Sequence, residues 1–563
     1  MIYHCEDHTC NYWDEGEKLP ERCPQCGRKL LRANEADMTG DDWTALGITL
    51  WDAEASDKKR MVDCFRKAAY LGSAWGVCNL GICMEQGNGV EADPVQAFWL
   101  YQQAVEMGSL NAVCCLGVCY EYGIGTAPDA EKAAELYCKA AEYGSPRGQM
   151  LLARAFHDGI GVEADAAEAV YWVRAAAYQR YGEGMYRLGV CYEYGDGVEQ
   201  NWEHAVHWFR EAAESGVSVA MAVLGYCYEK GCGVEQSWEQ AFSWYRRGAE
   251  CGNLQSMHNL GWCYEKGCGV EQSWEQAFSW YRRGAECGYP VSMGNLGWCY
   301  KKGYGVEQNW QEAVKWYEQG AQCGNLQSMH SLAYCYERGE GVKQNMTEAI
   351  RWYTAAAEGG NADAMHNLGW HYDYGEGVEQ DMKKAICWYE RAAEQNHPAA
   401  MNSLGECYAM GLGVPRDLET AMEWYRRAAE LGEAMADYNM GWHLEQAGKL
   451  SEAYAHYRKA ADGNDDSAWW ALGRFYENGV VVAQDGKEAR RCYETGEKLG
   501  SVKCKMRLAR CKLLGIGGRR AKKAGLDLCR QALELAKESS EKEDYGYEAE
   551  MNLLRRTIAE NES

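Results

Sequence analysis

A Leu-Gly pair, or a close variant of it, returns every 36 residues, with its first residue at Leu80, Leu116, Leu152, Leu188, Leu224, Leu260, Leu296, Leu332, Leu368, Leu404 and Met440. Looser copies at Leu46, Leu472 and Leu508 bring the number of landmarks to fourteen. A period of this length, held without a slip, leaves only architectures that stack one supersecondary unit again and again. It overrides the three or four separate domains that a length of 563 residues would otherwise suggest.

The unit from Met257 to Gly288 shows what is stacked. Leu260, Tyr264 and Gly267 fall at i, i+4 and i+7, on one face of a first helix. Gly267-Cys268-Gly269-Val270 then breaks that helix, because glycine reaches backbone conformations that cost other residues energy. From Trp274 onward, Ala277, Phe278, Tyr281 and Ala285 recur at helical spacing, and Gly288 closes the second helix. The small residues let the two helices approach, and the Trp280-Tyr281 pair is expected to fill space against the neighbouring unit. A single hairpin cannot bury such a stripe but a stack can. The fold expected is all-α, a right-handed superhelical α-solenoid of about fourteen hairpins over residues 41–518. Residues 519–563, basic at first and then helical, are expected to cap it.

The repeat Leu-Gly-x-x-Tyr-x-x-Gly-x-Gly-Val, followed by Ala-x-x-Trp-Tyr-x-x-(Ala/Gly)-Ala-x-x-Gly and seen from Leu368 to Asn396 apart from its last position, resembles the Sel1-like repeat family, relatives of the tetratricopeptide repeats. The unit after Met440, with Glu445-Gln446-Ala447-Gly448-Lys449, and the first unit lack the Gly-x-Gly-Val loop, so the loop is dispensable for stacking. The resemblance implies scaffolding or signalling through bound proteins. Glu229–Gly252 and Glu265–Gly288 are identical over 24 residues, exposed positions included, which points to recent duplication.

Residues 1–33 do not follow the repeat. Cys5, Cys10, Cys23 and Cys26 are expected to hold one structural zinc ion, because a Cys-x-x-Cys-Gly turn (Cys23-Pro24-Gln25-Cys26-Gly27) aims two thiolates at one point and a second knuckle completes a tetrahedron. The module resembles zinc ribbons and rubredoxin-like knuckles. Its first knuckle departs from the pattern, with four residues between Cys5 and Cys10, so His8 is an alternative ligand, and iron with an electron-transfer role is an alternative metal. A segment this short cannot fold on an apolar core alone, so the metal would be its core.

Composition narrows function. Lys and Arg total 58 against 83 Asp and Glu, a net charge of −25 that repels nucleic acid and anionic lipid. No run approaches the roughly 18 apolar residues of a membrane span, and the start has no signal-peptide pattern. With 27 cysteines, an odd number, reduced thiols or metal are favoured over a disulfide frame, and a cytoplasmic protein is expected. Cysteines three residues after the landmark, among them Cys83, Cys119, Cys227 and Cys263, border the core stripe and read as small buried hydrophobes. Trp202, Trp238, Trp274 and Trp310, which open second helices, read as core. No nucleophile with an adjacent base and no phosphate-binding loop stands out, so no enzymatic activity is expected.

A second aromatic row is different. Tyr226, Trp262, Trp298, Tyr334, Trp370 and Trp442 lie two residues after the landmark, about 200° from it on a helical wheel. Glu229, Glu265, Glu337 and Asp373 follow at five residues, and His258, His330 and His366 precede it by two, at angles expected to be exposed. Together they suggest an aromatic and acidic concave groove for a partner protein or peptide with a Lys- or Arg-containing segment, or else stacking of the rings along the wall with solvated carboxylates. The alternative class is a redox protein built on the cysteine knuckle, or a groove that binds or hydrolyses a small β-lactam-like molecule.

Overall fold

The computed structural model describes residues 2–5, 13–15, 30–33, 35–51, 55–542 and 548–562. At the amino terminus the strands Ile2–Cys5, Trp13–Glu15 and Leu30–Ala33 form an antiparallel sheet with the first strand in the centre. Its register pairs Ile2 with Glu15 on one side and Cys5 with Leu30 on the other. From Gly40 to Lys542 the described residues form fourteen helical hairpins, and one more helix, Glu548–Glu562, follows.

Most of these helices are 13 residues long, and local chemistry fixes both ends. Asn253 caps Leu254–Lys266 by accepting a hydrogen bond from the Ser256 amide, and Gly267, at φ +72°, ends the helix in the left-handed conformation. In the loop beyond, the Gln272 side chain donates to the Glu265 carbonyl at 2.8 Å, satisfying one of the helix's terminal acceptors. Ser273 then caps Trp274–Glu286 by accepting from the Gln276 amide. The glutamine brace recurs at Gln236, Gln344, Gln380 and Gln484, and at Gln308 it reaches the Lys301 carbonyl.

Within a hairpin the helices meet where the sequence alternates large and absent side chains. A Cβ placed on Gly261 would lie 2.7 Å from the Tyr281 ring, so the glycine of the repeat is what lets the tyrosine of the second helix rest on the backbone of the first. Gly81 with Tyr101, Gly225 with Tyr245, Gly369 with Tyr389 and Gly405 with Tyr425 repeat the contact. The tyrosine thus fills its own hairpin, whereas the tryptophan before it, such as Trp280, packs on the cluster of Tyr245, Met257 and Leu260 formed with the preceding hairpin. Hairpins touch through their loops too: the second glycine of a Gly-x-Gly, such as Gly233 or Gly269, abuts the backbone of Trp202 or Trp238 at the start of the previous second helix.

The chain divides into two units, Met1–Cys287 and Gly288–Ser563. The first carries the sheet and seven hairpins. The second carries seven hairpins, and its terminal helix Glu548–Glu562 closes the last of them: Lys522–Lys542 is the second helix of the hairpin begun by Val502–Leu514, and Met551 and Leu554 cover Cys529 and Ala532. An ion pair from Arg507 to Glu550 at 2.6 Å, largely buried, fastens this helix.

Candidate functional site

The landmark leucines are buried, as are Cys83, Cys119, Cys227, Cys263, Cys299, Cys335, Cys407 and Cys511 three residues later, and Cys191 is half-buried. Burial raises Cys83 and Cys335 to about 11 and Cys227 and Cys263 to about 12, so these thiols act as inert core. Trp202, Trp238, Trp274 and Trp310, expected in the core, are half-buried.

The carboxylates expected to be solvated are not. Glu265 is buried, and Glu229, Glu337 and Asp373 are half-buried with their side chains turned to the tyrosine of their own hairpin. Tyr245 donates to Glu229 at 2.8 Å, Tyr281 to Glu265 at 2.8 Å, Tyr353 to Glu337 at 2.7 Å and Tyr389 to Asp373 at 3.3 Å. The physical reason is that the buried tyrosine hydroxyl needs an acceptor, and the residue five after the landmark is the one within reach. Burial raises Asp373, partly offset by the Tyr389 hydroxyl. At Glu337 burial also pushes upward, but hydrogen bonds from His371 and Tyr353 outweigh it and hold the carboxyl below the usual range. The expected exposure of His258, His330 and His366 is corrected in the same way. Each is half-buried with its ring 5.7 Å from the tyrosine of its hairpin, and burial lowers all three, His258 and His366 to about 4.

The aromatic row is present on first helices of both units. In the first, Tyr226 is 46% exposed and Trp262 lies, tilted, 5.6 Å from Trp238 of the preceding hairpin. In the second, Trp298 lies 5.0 Å from Tyr304, Trp370 lies 4.9 Å from Tyr374, and Trp442 is 43% exposed. Tyr334 already receives cations, with the Lys301 ammonium 4.3 Å from its ring centroid and the Arg338 guanidinium 5.8 Å away. Lys230 reaches the Tyr226 ring at 5.8 Å. Between Trp370 and Trp442 the row holds Glu406, which accepts from Asn402 and Asn439.

Of the expected metal ligands, Cys5 ends the first strand, while Cys10, Cys23, Cys26 and His8 lie outside the described residues. Among the described residues no three His, Cys, Asp or Glu side chains converge as a metal site, and no helix is long and apolar enough to cross a membrane.

The repeat period coincides with a family pattern. The Sel1 repeat matches twelve segments, from 76–109 and 112–145 in succession to 434–465 and 468–501. The chain belongs to the Sel1 repeat family. Among solved structures this Sel1-repeat protein is similar to a protective antigen of uropathogenic Escherichia coli displaying an SLR fold, at 29% identity over 76% of this chain and 94% of that one, with a TM-score of 0.56. It is also similar to a Sel1 repeat protein from Oxalobacter formigenes, at 30% identity over 43% of this chain and 96% of that one, with a TM-score of 0.39. No curated protein matches. Sel1 repeat proteins generally serve as protein-interaction scaffolds, and their solenoid is typically non-catalytic.

Proposed function

We propose that this Sel1-repeat protein is a non-catalytic scaffold that takes a Lys- or Arg-bearing segment of a partner protein on the aromatic row of its first helices. The observation that carries the reading is Tyr334, whose ring already collects Lys301 and Arg338 from the chain itself, together with the exposed rings of Tyr226 in the first unit and Trp442 in the second. A partner's cations would find the same chemistry, and the excess of acidic residues would speed their approach. The carboxylates Glu229, Glu265, Glu337 and Asp373 are committed to tyrosines, so the long-range attraction is assigned to the acidic chain as a whole and no longer to them.

Replacing Trp262, Trp298 and Trp370 together by Ala tests the reading by affinity capture from the native cell with quantitative mass spectrometry. Aromatic anchors in a desolvated interface commonly cost more than about 2 kcal/mol each on truncation, so the captured set should be lost. If instead capture persists while the melting temperature falls by many degrees, the row is structural and the reading fails.

We further propose one structural zinc on Cys5, Cys10, Cys23 and Cys26, in a reducing compartment such as the cytoplasm. The strand register supports this: it sets Cys5 opposite Leu30, four residues beyond Cys26. Bound there, zinc would supply folding energy and no open coordination position. Cys23→Ser should release one equivalent of zinc and leave the helical circular dichroism of the hairpins nearly unchanged. Visible thiolate-to-iron absorption bands in anaerobically purified protein would replace zinc by iron.

A further inference from the structure

One hairpin of the first unit breaks the contact described above. Ala153 stands where Gly117, Gly189 and Gly225 stand in nearby repeats, Val173 where Tyr137, Phe209 and Tyr245 stand, and His157 where Glu121, Glu193 and Glu229 stand. The three positions that elsewhere hold the ring, the backbone beneath it and the acceptor of its hydroxyl have changed together. Valine does not refill the place of a tyrosine ring. All three residues line a single open cavity of about 540 Å³, within the range of small-molecule sites.

The walls say what the cavity accepts. Val170 and Val190 extend the apolar lining of Ala153 and Val173, and Val190 replaces the aromatic found two residues after the landmark in later repeats. Three arginines, Arg147, Arg154 and Arg187, also face the cavity, in a chain whose net charge is −25. Arg154 donates to Glu121 and to the Tyr122 hydroxyl, but its Nε is buried with no hydrogen-bond partner. Arg147 donates to the Cys115 sulfur at 3.6 Å, and neither it nor Arg187 has a carboxylate within ion-pair distance among the described residues. Arg147 and Arg187 are exposed and line the cavity without a carboxylate partner, so an anion entering it would meet two guanidinium groups free to bind it.

The anion's charge is limited by its other neighbours. His157, ten residues and so about 15 Å along the helix from Arg147, is held between Asp158 at 2.7 Å and Asp196 at 3.2 Å. Those carboxylates close the far end, and Glu183 shares the arginine wall. A phosphate or other dianion would meet stronger repulsion from them than a single carboxylate does.

We propose that this cavity binds a small aromatic carboxylate, its ring seated over Ala153 and Val173 where other repeats hold their own tyrosine and its carboxylate held by Arg147 and Arg187. The site does not depend on the protein-binding reading, since it uses a repeat whose row position holds Val190 and no aromatic.

The repeat itself supplies variants that should fold. Ala153→Gly with Val173→Tyr restores the residue pair of the neighbouring hairpins, and Arg187→Asn installs the residue found at Asn259 and Asn295. Isothermal titration of the full chain with 3-phenylpropionate, its neutral amide and inorganic phosphate gives the comparison. The acid should bind saturably at millimolar concentration or below, at least tenfold more tightly than the amide or phosphate. The double variant should keep its melting temperature and lose at least tenfold in affinity, and Arg187→Asn should do the same. No saturable binding of the acid, equal binding of the amide, or full affinity in the double variant would each overturn the site.

Discussion

At the scale of single residues, the repeat is organised around one tyrosine that has backbone below it and a carboxylate at its hydroxyl. Chain-internal variation shows a one-way coupling: where Val173 or Cys529 replaces the tyrosine, the acid becomes His157 or Leu513 and the glycine becomes Ala153 or Ala509, whereas Tyr317 and Tyr425 keep ring and glycine with Lys301 and Ala409 in place of the acid. Where Phe209 keeps the ring but not the hydroxyl, burial raises Glu193. Glu406 is another carboxylate raised by burial, only partly offset by hydrogen bonds from Asn439 and Asn402. An acid whose folded pKa is raised favours the native state below its ordinary value of 4.5 and loses that contribution as pH climbs through the raised value. Glu406→Gln keeps the Oε1 acceptor that both asparagines use, so it should raise the melting temperature at pH 7 and flatten its decline above pH 4.5. Thermal melts from pH 4 to 8 check both, and an unchanged slope would remove the assignment. The burial of Glu229, Glu265, Glu337 and Asp373 was hard to see from a wheel, because a wheel shows one helix and their partner sits on another. The joint loss of tyrosine and acid at Val173 and His157 was the readable signal.

At the scale of the hairpin, spacing alone located helices, loops and buried cysteines, because each depends on neighbours within one helix or on a glycine at a turn. Contacts between hairpins were less legible, and the loop glycines show why. Both glycines of Gly267-Cys268-Gly269 have positive φ, near +70°, which explains a turn but not why two are needed. A Cβ on Gly267 would meet its nearest neighbour, the Gln272 side chain, at 3.4 Å, an ordinary contact, whereas one on Gly269 would run into the Trp238 carbonyl of the preceding hairpin. Gly267→Ala should therefore cost only the left-handed backbone penalty of about 1–2 kcal/mol. Gly269→Ala should cost clearly more, since the loop must also withdraw from its neighbour. Urea denaturation of the two variants distinguishes them, and equal losses would show that the loop does not bear on the preceding hairpin.

At the scale of the whole chain, stability built from hairpins that touch their sequence neighbours should be modular. Removing residues 362–397, one full period inside the second unit, joins Gly360 and Asn361 to Pro398 and presents the same kind of interface again. That deletion should preserve helical content per residue by circular dichroism, whereas removing 362–379, half a period, should not. Loss of folding in both would mean that the hairpins are not interchangeable.

The ring-on-glycine contact also bears on how the chain finds its order. Since nearly every hairpin offers the same groove to the same ring, and two neighbours share 24 identical residues, a helix arriving one period too early or too late meets a surface almost as welcoming as its own. Departures from the pattern then serve as addresses. Lys301 in place of an acid, Val173 in place of a tyrosine and Glu406 in place of an aromatic each make one position unlike its neighbours, and a misplaced helix is recognised there by the mismatch it leaves.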